Sequence, residues 1–205
     1  MSDLDFAALL VSRVCHDLVS PVGAVVNGLE VLEEERDAAM RADALKLVTS
    51  SAALAAARLQ FARIAFGAAG SAGAELDLNE VGRTVCGLLE GSKTEMAWEA
   101  AAENWPKDWA KLLMNSALLA ADCLPRGGRV RVTTTTNSSA PGFLVRATGQ
   151  GARVHEDVDK ALRGEPVSAL DGRSIQPCLT HKLACLLNTE LMLTRTEGMI
   201  EISAG

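Results

Sequence analysis

Tyrosine is absent from this 205-residue sequence, and aromatic residues of all kinds make up 3% of it. The apolar share is nevertheless 48%, carried mainly by alanine and leucine. The core must therefore be aliphatic, which favours helix packed on helix. Positive charge is not in excess. With 20 Lys and Arg against 26 Asp and Glu, the net charge is −6 and the isoelectric point about 5.1. That argues against a nucleic-acid binder, which presents a basic face. No CxxC pair links Cys15, Cys86, Cys123, Cys178 and Cys185, and His16, His155 and His181 are scattered, so metal-ligand spacing is lacking. Free thiols and the polar start MSDLDF, which is unlike a signal peptide, predict a cytoplasmic protein. No apolar run reaches the roughly 18 residues of a membrane span. A serine-hydrolase elbow, GxSxG, does not occur, nor does any internal repeat.

What is present divides into two parts, 1–72 and 73–205. The first reads as a helical hairpin. Ser2 or Asp3 can cap one helix, which runs to the acidic Glu33–Glu35. Asp37 can cap the other, which ends near the glycine-rich hinge 67–73. In the first helix Leu10, Val14, Leu18, Pro21, Val25, Leu29 and Leu32 form one stripe. In the second Leu45, Val48, Ala52, Ala55, Leu59, Ala62 and Phe66 do the same. Both have coiled-coil-like spacing. Leu47, Leu54, Phe61 and Ile64 add apolar surface off the second stripe. A lone hairpin cannot bury both sides, so two copies are expected to close a homodimeric four-helix bundle.

Residues 73–205 interleave helix and strand patterns. Helices are expected at 78–91, 106–124, 155–164 and 176–188, the second opening with Pro106, which suits a first turn. Strands are expected at 96–100, 129–136 and 142–148, and a hairpin over 189–203 turning at Glu197-Gly198. The fold class is therefore α+β: a helical hairpin followed by an α/β sandwich with mainly one sheet.

The stretch RVCHDLVSPV, residues 13–22, stands out inside the first helix. His16 projects about 160° from the apolar stripe, onto an open face shared with Ser12, Arg13, Ser20, Gly23, Asn27 and Glu30. Asp17, on its flank, can accept a hydrogen bond from one ring nitrogen and leave the other as a nucleophile. Ser20 lies one turn on, beside the same ring. Pro21 costs about 3 kcal/mol in a helix interior, and it frees the Asp17 carbonyl one turn before it. Cys15 diverges from His16 by about 100° on a helix, so the pair does not form a cysteine-protease dyad.

His16-Asp17-Leu18-Val19-Ser20-Pro21 resembles the H-box of sensor histidine kinases, H-[DE]-L-x-[STN]-P. In that family the histidine carries phosphate, the hairpin dimerises, and a Bergerat-type α/β sandwich binding ATP follows. The resemblance covers nearly the whole chain, but the nucleotide motifs depart from the pattern. Asn115 sits where a kinase asparagine holds Mg²⁺, whereas Lys111 replaces a second asparagine and Leu118 a polar or basic residue. In RATGQG, Gly149 and Gly151 match the DxGxG box, but Ala147 replaces the adenine-recognising aspartate. The segment SIQPCLTHKLA, residues 174–184, stands where a glycine-rich phosphate cradle belongs. It has no glycine and contains Pro177, which cannot donate a backbone N–H. Asn115 is therefore read as a satisfied helix residue, Gly149 and Gly151 as turn residues, and His155 and His181 as surface or structural.

CHDLVSPVGAVVNGLEVL, together with the glycine-free segment, resembles the ChpT-type histidine phosphotransferases of bacteria. The resemblance implies that phosphate passes from the receiver of a hybrid kinase to His16 and on to receivers of response regulators controlling the cell cycle, without ATP. Asp17 would orient the ring and stabilise its positive charge. Ser20 would bond the phosphoryl group or a water, and Mg²⁺ would come with the receiver, so no cofactor of the chain's own is expected. Ser12, Arg13, Val19, Gly23 and Asn27 are the expected partner contacts, with no role for nucleic acid or membrane. Two other readings remain open: an active kinase with a divergent ATP site, and a scaffold that binds receivers without accepting phosphate.

Overall fold

A computed structural model describes residues 2–67, 73–135, 141–167 and 174–205. The hairpin consists of α1 (Asp3–Glu34) and α2 (Ala38–Ala65). Ser2 caps α1 in a reciprocal box with Asp5, and Asp37 caps α2 by accepting from the amides of Ala39 and Met40. The helices meet over small residues. Pro21 and Gly28 are the buried positions of α1, and Ala44 and Ser51 are buried opposite them on α2. A Cβ on Gly28 would lie 2.6 Å from Val48 Cγ2, so this crossing is closer than any larger residue permits.

The apolar stripes are only partly buried in one chain. Leu10, Val14, Leu18, Val25 and Leu32 are half-buried. Leu29, Leu45 and Leu59 remain 47%, 57% and 56% exposed, and Ala52 is exposed as well. One sequence expectation needs correction. No uninterrupted apolar run reaches membrane length, but an 18-residue window of α1 averages a hydropathy of 1.5, enough by length and composition for a span. Valine and leucine outweigh Arg13, His16 and Asp17 in that average. The helix packs along α2, and charged side chains at mid-helix are costly in hydrocarbon.

The second part contains β1 (Glu75–Asp77), α3 (Leu78–Leu89), β2 (Thr94–Glu99), β3 (Asn104–Pro106), α4 (Lys107–Asp122), β4 (Gly128–Thr135), β5 (Gly142–Thr148), α5 (Glu156–Leu162), α6 (Ile175–Leu186), β6 (Met192–Thr196) and β7 (Met199–Ala204). Five strands form one sheet in the order β2-β4-β5-β7-β6, antiparallel except for the β2–β4 pair. Its strands alternate as half-buried strands do. Val130, Val132, Val145, Ala147, Ile200 and Ile202 are buried. Outward-facing residues pair across strands, as Arg131 does with Glu99 at 3.2 Å and Arg146 with Glu201 at 2.6 Å. The helices cover the inner face, with α4 as the central layer: Leu112, Leu113, Met114 and Ala117 are fully buried.

The pairing of β1 with β3 was not legible in the sequence, since strands of three residues show no periodicity. It pins the starts of α3 and α4, and makes Pro106 the residue before α4 rather than its first turn. Phe61, Ile64 and Ala65 of α2 join the same core as α3 and α4, so the sheet part packs beside the hairpin end that carries His16. The expected hinge and the boundary at 72 fall mostly or wholly outside the described residues.

Candidate functional site

Helix α1 presents His16 to solvent, its side chain 82% exposed. Ser12 and Ser20, one turn to either side, are exposed too, and Val19 is 70% exposed. Further along, a Cβ on Gly23 would meet nothing within 4 Å, and Asn27 is exposed. The open face expected from periodicity is therefore present, with one exception. Arg13, expected on that face, is 14% exposed and turned inward, where its Nε donates to Asp17 Oδ2 at 2.8 Å. A guanidinium four residues before a carboxylate on a helix is placed for that pairing.

Asp17 thus has two neighbours. Oδ2 holds Arg13, and Oδ1 lies 3.4 Å from His16 Nδ1. That separation is long for a hydrogen bond, so Asp17 stands beside the ring rather than clamping it. Its backbone is engaged as well. Pro21 has no N–H to offer the Asp17 carbonyl, and Arg58 of α2 reaches across and donates to that oxygen through Nη1. The proline defect is thereby bridged by the partner helix, directly behind His16.

On the inner side a cleft of about 500 Å³ separates α1 from the sheet part. His16, Arg13 and Asp17 line one wall. Asp122 at the end of α4 lines the other, with Arg153 and His155 from the segment leading into α5. Sequence reasoning missed Arg58, Asp122 and Arg153 and read His155 as surface or structural, because none lies within forty residues of His16 in the chain. Desolvation in the cleft raises the Asp122 carboxyl above its ordinary range; Arg13 opposes the shift and Asp17 adds to it. Next to it, burial pushes the Cys123 thiol up to about 11, so this sulfur is a poor nucleophile.

In the region resembling a nucleotide site, several described side chains are buried and hydrogen-bonded within the fold. Asn115 is fully buried, and its Nδ2 donates to the carbonyls of Lys111 at 2.9 Å and Ala65 at 3.3 Å. Its Oδ1 accepts from Gln176 Nε2 at 3.3 Å. Gln176 and Pro177 lie in the first turn of α6, where a proline is tolerated, and both are buried against α4. Ala147 is buried within the sheet. A Cβ on Gly149 would stand 2.5 Å from the Gly127 carbonyl, so a close backbone crossing requires that glycine, while Gly151 turns at φ 73°. His181 Nδ1 lies 3.0 Å from the Leu162 carbonyl and ties α6 to α5.

Residues 78–198 match the histidine phosphotransferase C-terminal domain family. The chain belongs to that family. It is 40% identical over all 205 residues, and over 97% of the relative, to the protein phosphotransferase ChpT of Brucella abortus (strain 2308). The solved structure of a bacterial phosphotransferase matches with a TM-score of 0.90 at 38% identity, covering 100% of this chain and 98% of that one. The catalytic domain of the histidine kinase ThkA matches at a TM-score of 0.50 and 16% identity, over 64% of this chain and 92% of that one, a likeness of fold alone. This chain is accordingly a phosphotransferase, built as an N-terminal helical pair followed by a histidine-kinase ATPase-like sandwich.

Proposed function

We propose that the chain relays phosphate between receiver-domain aspartates through phospho-His16 and does not draw on ATP. The receivers are those of a hybrid kinase and of its response regulators. The observation that carries the reading is the pairing of an exposed His16 with a buried Asn115 whose amide is held by Lys111, Ala65 and Gln176. An asparagine held this way is tied into the core between α2, α4 and α6, and α6 fills the place of a phosphate cradle.

The imidazole attacks the receiver acyl phosphate in line. A bond forms from His16 Nε2 to phosphorus, the bond from phosphorus to the receiver oxygen breaks, and its electron pair returns to the aspartate. The proton stays on Nδ1, where the Asp17 charge balances the imidazolium. Such transfer is mainly positioning and charge stabilisation. Mg²⁺ belongs to the receiver. Ser20 stands one turn away to hydrogen-bond the phosphoryl group or a water, and Ser12, Val19, Gly23 and Asn27 give the receiver a flat, small-residue surface. Arg13 serves Asp17 instead of the partner.

A homodimer and a cytoplasmic setting complete the reading. Val11, Val22 and Leu29 on α1 and Leu45 and Leu59 on α2 are 47–62% exposed, and a second hairpin would cover them. They lie away from His16 around α1, so dimerisation leaves the carrier open. Nucleotide titration tests the ATP claim. Calorimetry with ATP and Mg²⁺ should show no binding at micromolar to millimolar concentration, and labelled ATP alone should leave His16 unlabelled. Micromolar binding with His16 labelling would establish an active kinase instead. A His16→Ala variant that still moves phosphate between receivers would remove His16 as the carrier.

A further inference from the structure

Asp122 lines two cavities, one of about 500 Å³ that opens beside His16 and one of about 210 Å³ that reaches Arg58 and Phe61. Arg13 and Asp17 line both of these as well. The three residues therefore border both cavities, with Arg13 ion-paired to Asp17 of its own helix and sharing both linings with Asp122 of α4. Arg13 gives Nε to Asp17. Its side chain is 14% exposed and lines both cavities that Asp122 lines.

We propose that Asp122 is a positioning residue for transfer through His16: by sharing Arg13 with Asp17, it sets how much negative charge Asp17 presents to the imidazole. The inference rests on the reading of His16 as the phosphate carrier. It assigns the sheet part a task in the chemistry, since the last residue of α4 tunes a ring on α1. The charged and titratable groups around Asp122 are Arg13, His16 and Asp17 on α1, Arg58 on α2, its neighbour Cys123, and Arg153 and His155 before α5. Of the arginines among them, Arg13 is the one ion-paired to Asp17 within the described residues, so a change at Asp122 reaches His16 through it. A carboxylate at this place opposes folding, because the cleft desolvates it and Asp17 adds like charge. A costly charge beside a reacting group is the pattern expected where position serves chemistry.

The test uses the full chain with Asp122→Asn, which keeps shape and removes charge, and Asp122→Glu, which keeps charge. His16 is titrated by NMR, and single-turnover transfer is followed from an isolated receiver domain phosphorylated with acetyl phosphate. In Asp122→Asn, the Asp122 charge no longer competes with Asp17 for Arg13. The His16 midpoint should fall, and the rate at saturating receiver should drop about threefold to tenfold with the half-saturating concentration unchanged. Asp122→Glu should restore most of the rate, and Asp122→Asn should add nothing in an Arg13→Gln background. The proposal is overturned if Asp122→Asn leaves both the midpoint and the saturating rate unchanged, or if it alters only the half-saturating concentration. A midpoint that moves in a protein that never accepts phosphate would uphold the coupling and refute the carrier reading.

Discussion

Replacing Arg58 by methionine should destabilise the fold by about 1–2 kcal/mol, and the loss should vanish when Pro21 is also replaced by alanine. The Asp17 carbonyl has lost its helical donor because residue 21 is proline, and Arg58 supplies the substitute. A hydrogen bond from a charged donor contributes roughly 1.5–3 kcal/mol net. Asp17 and Arg58 border a cavity of about 210 Å³, where water can replace part of the bond, so the low end of that range and slightly below it apply. In a Pro21→Ala background the backbone amide gained at position 21 closes the ordinary bond to residue 17. Arg58→Met should then cost under about 0.5 kcal/mol, leaving a coupling of about 1 kcal/mol. Urea unfolding of the four proteins at one protein concentration measures it, and thermal melting should show the single Arg58 variant about 2–8 °C lower. Equal costs in both backgrounds would refute the reasoning, since Arg58 would then be doing something other than repairing the proline defect.

Three further outcomes follow from the same geometry. Gly28→Val should destabilise by about 1–3 kcal/mol through overpacking against Val48, measured by calorimetry; an unchanged melting temperature would mean the hairpin crossing is loose. Asn115→Ala should cost about 2–3 kcal/mol, because it leaves Gln176 and two carbonyls short of partners in a dry site, with denaturant unfolding as the check. Asp122→Asn should stabilise the chain in a pH-dependent way. The carboxyl is raised in the folded state, so its favourable contribution is complete below the ordinary value of 3.8 and is lost as pH climbs through the raised folded value. Wild type and variant should match in acid and diverge toward neutrality with the variant more stable; divergence in acid only would reverse the sign and disprove the assignment.

How much of this was legible depends on where each signal sits in the chain. Ser2, Asp37 and the spacing of Leu10, Val14 and Leu18 place the hairpin, because caps and periodicity are local properties. The exposure of His16 follows from the same wheel, and the departures at Lys111, Ala147 and the glycine-free 174–184 are what set the sequence apart from a kinase nucleotide site. The walls of the cleft are different. Arg13 shares the side of His16 on an ideal wheel, yet turns inward because a carboxylate four residues on and the sheet part behind it offer partners that solvent cannot match. Asp122 and Arg58 come from other elements, and nothing in their own neighbourhoods marks them. The freed Asp17 carbonyl was the one legible clue, since a proline in mid-helix requires some donor to be found, although the sequence does not say which residue supplies it.

The central claim is that His16 carries phosphate received from a receiver aspartate. The most direct measurement is to incubate the chain with phosphorylated receiver domains and map the phosphate by peptide mass spectrometry under alkaline conditions. The account predicts acid-labile phosphate on His16, absent in His16→Ala and absent when labelled ATP replaces the receiver. Phosphate on another residue, or none after incubation with receivers that bind the chain, would contradict it.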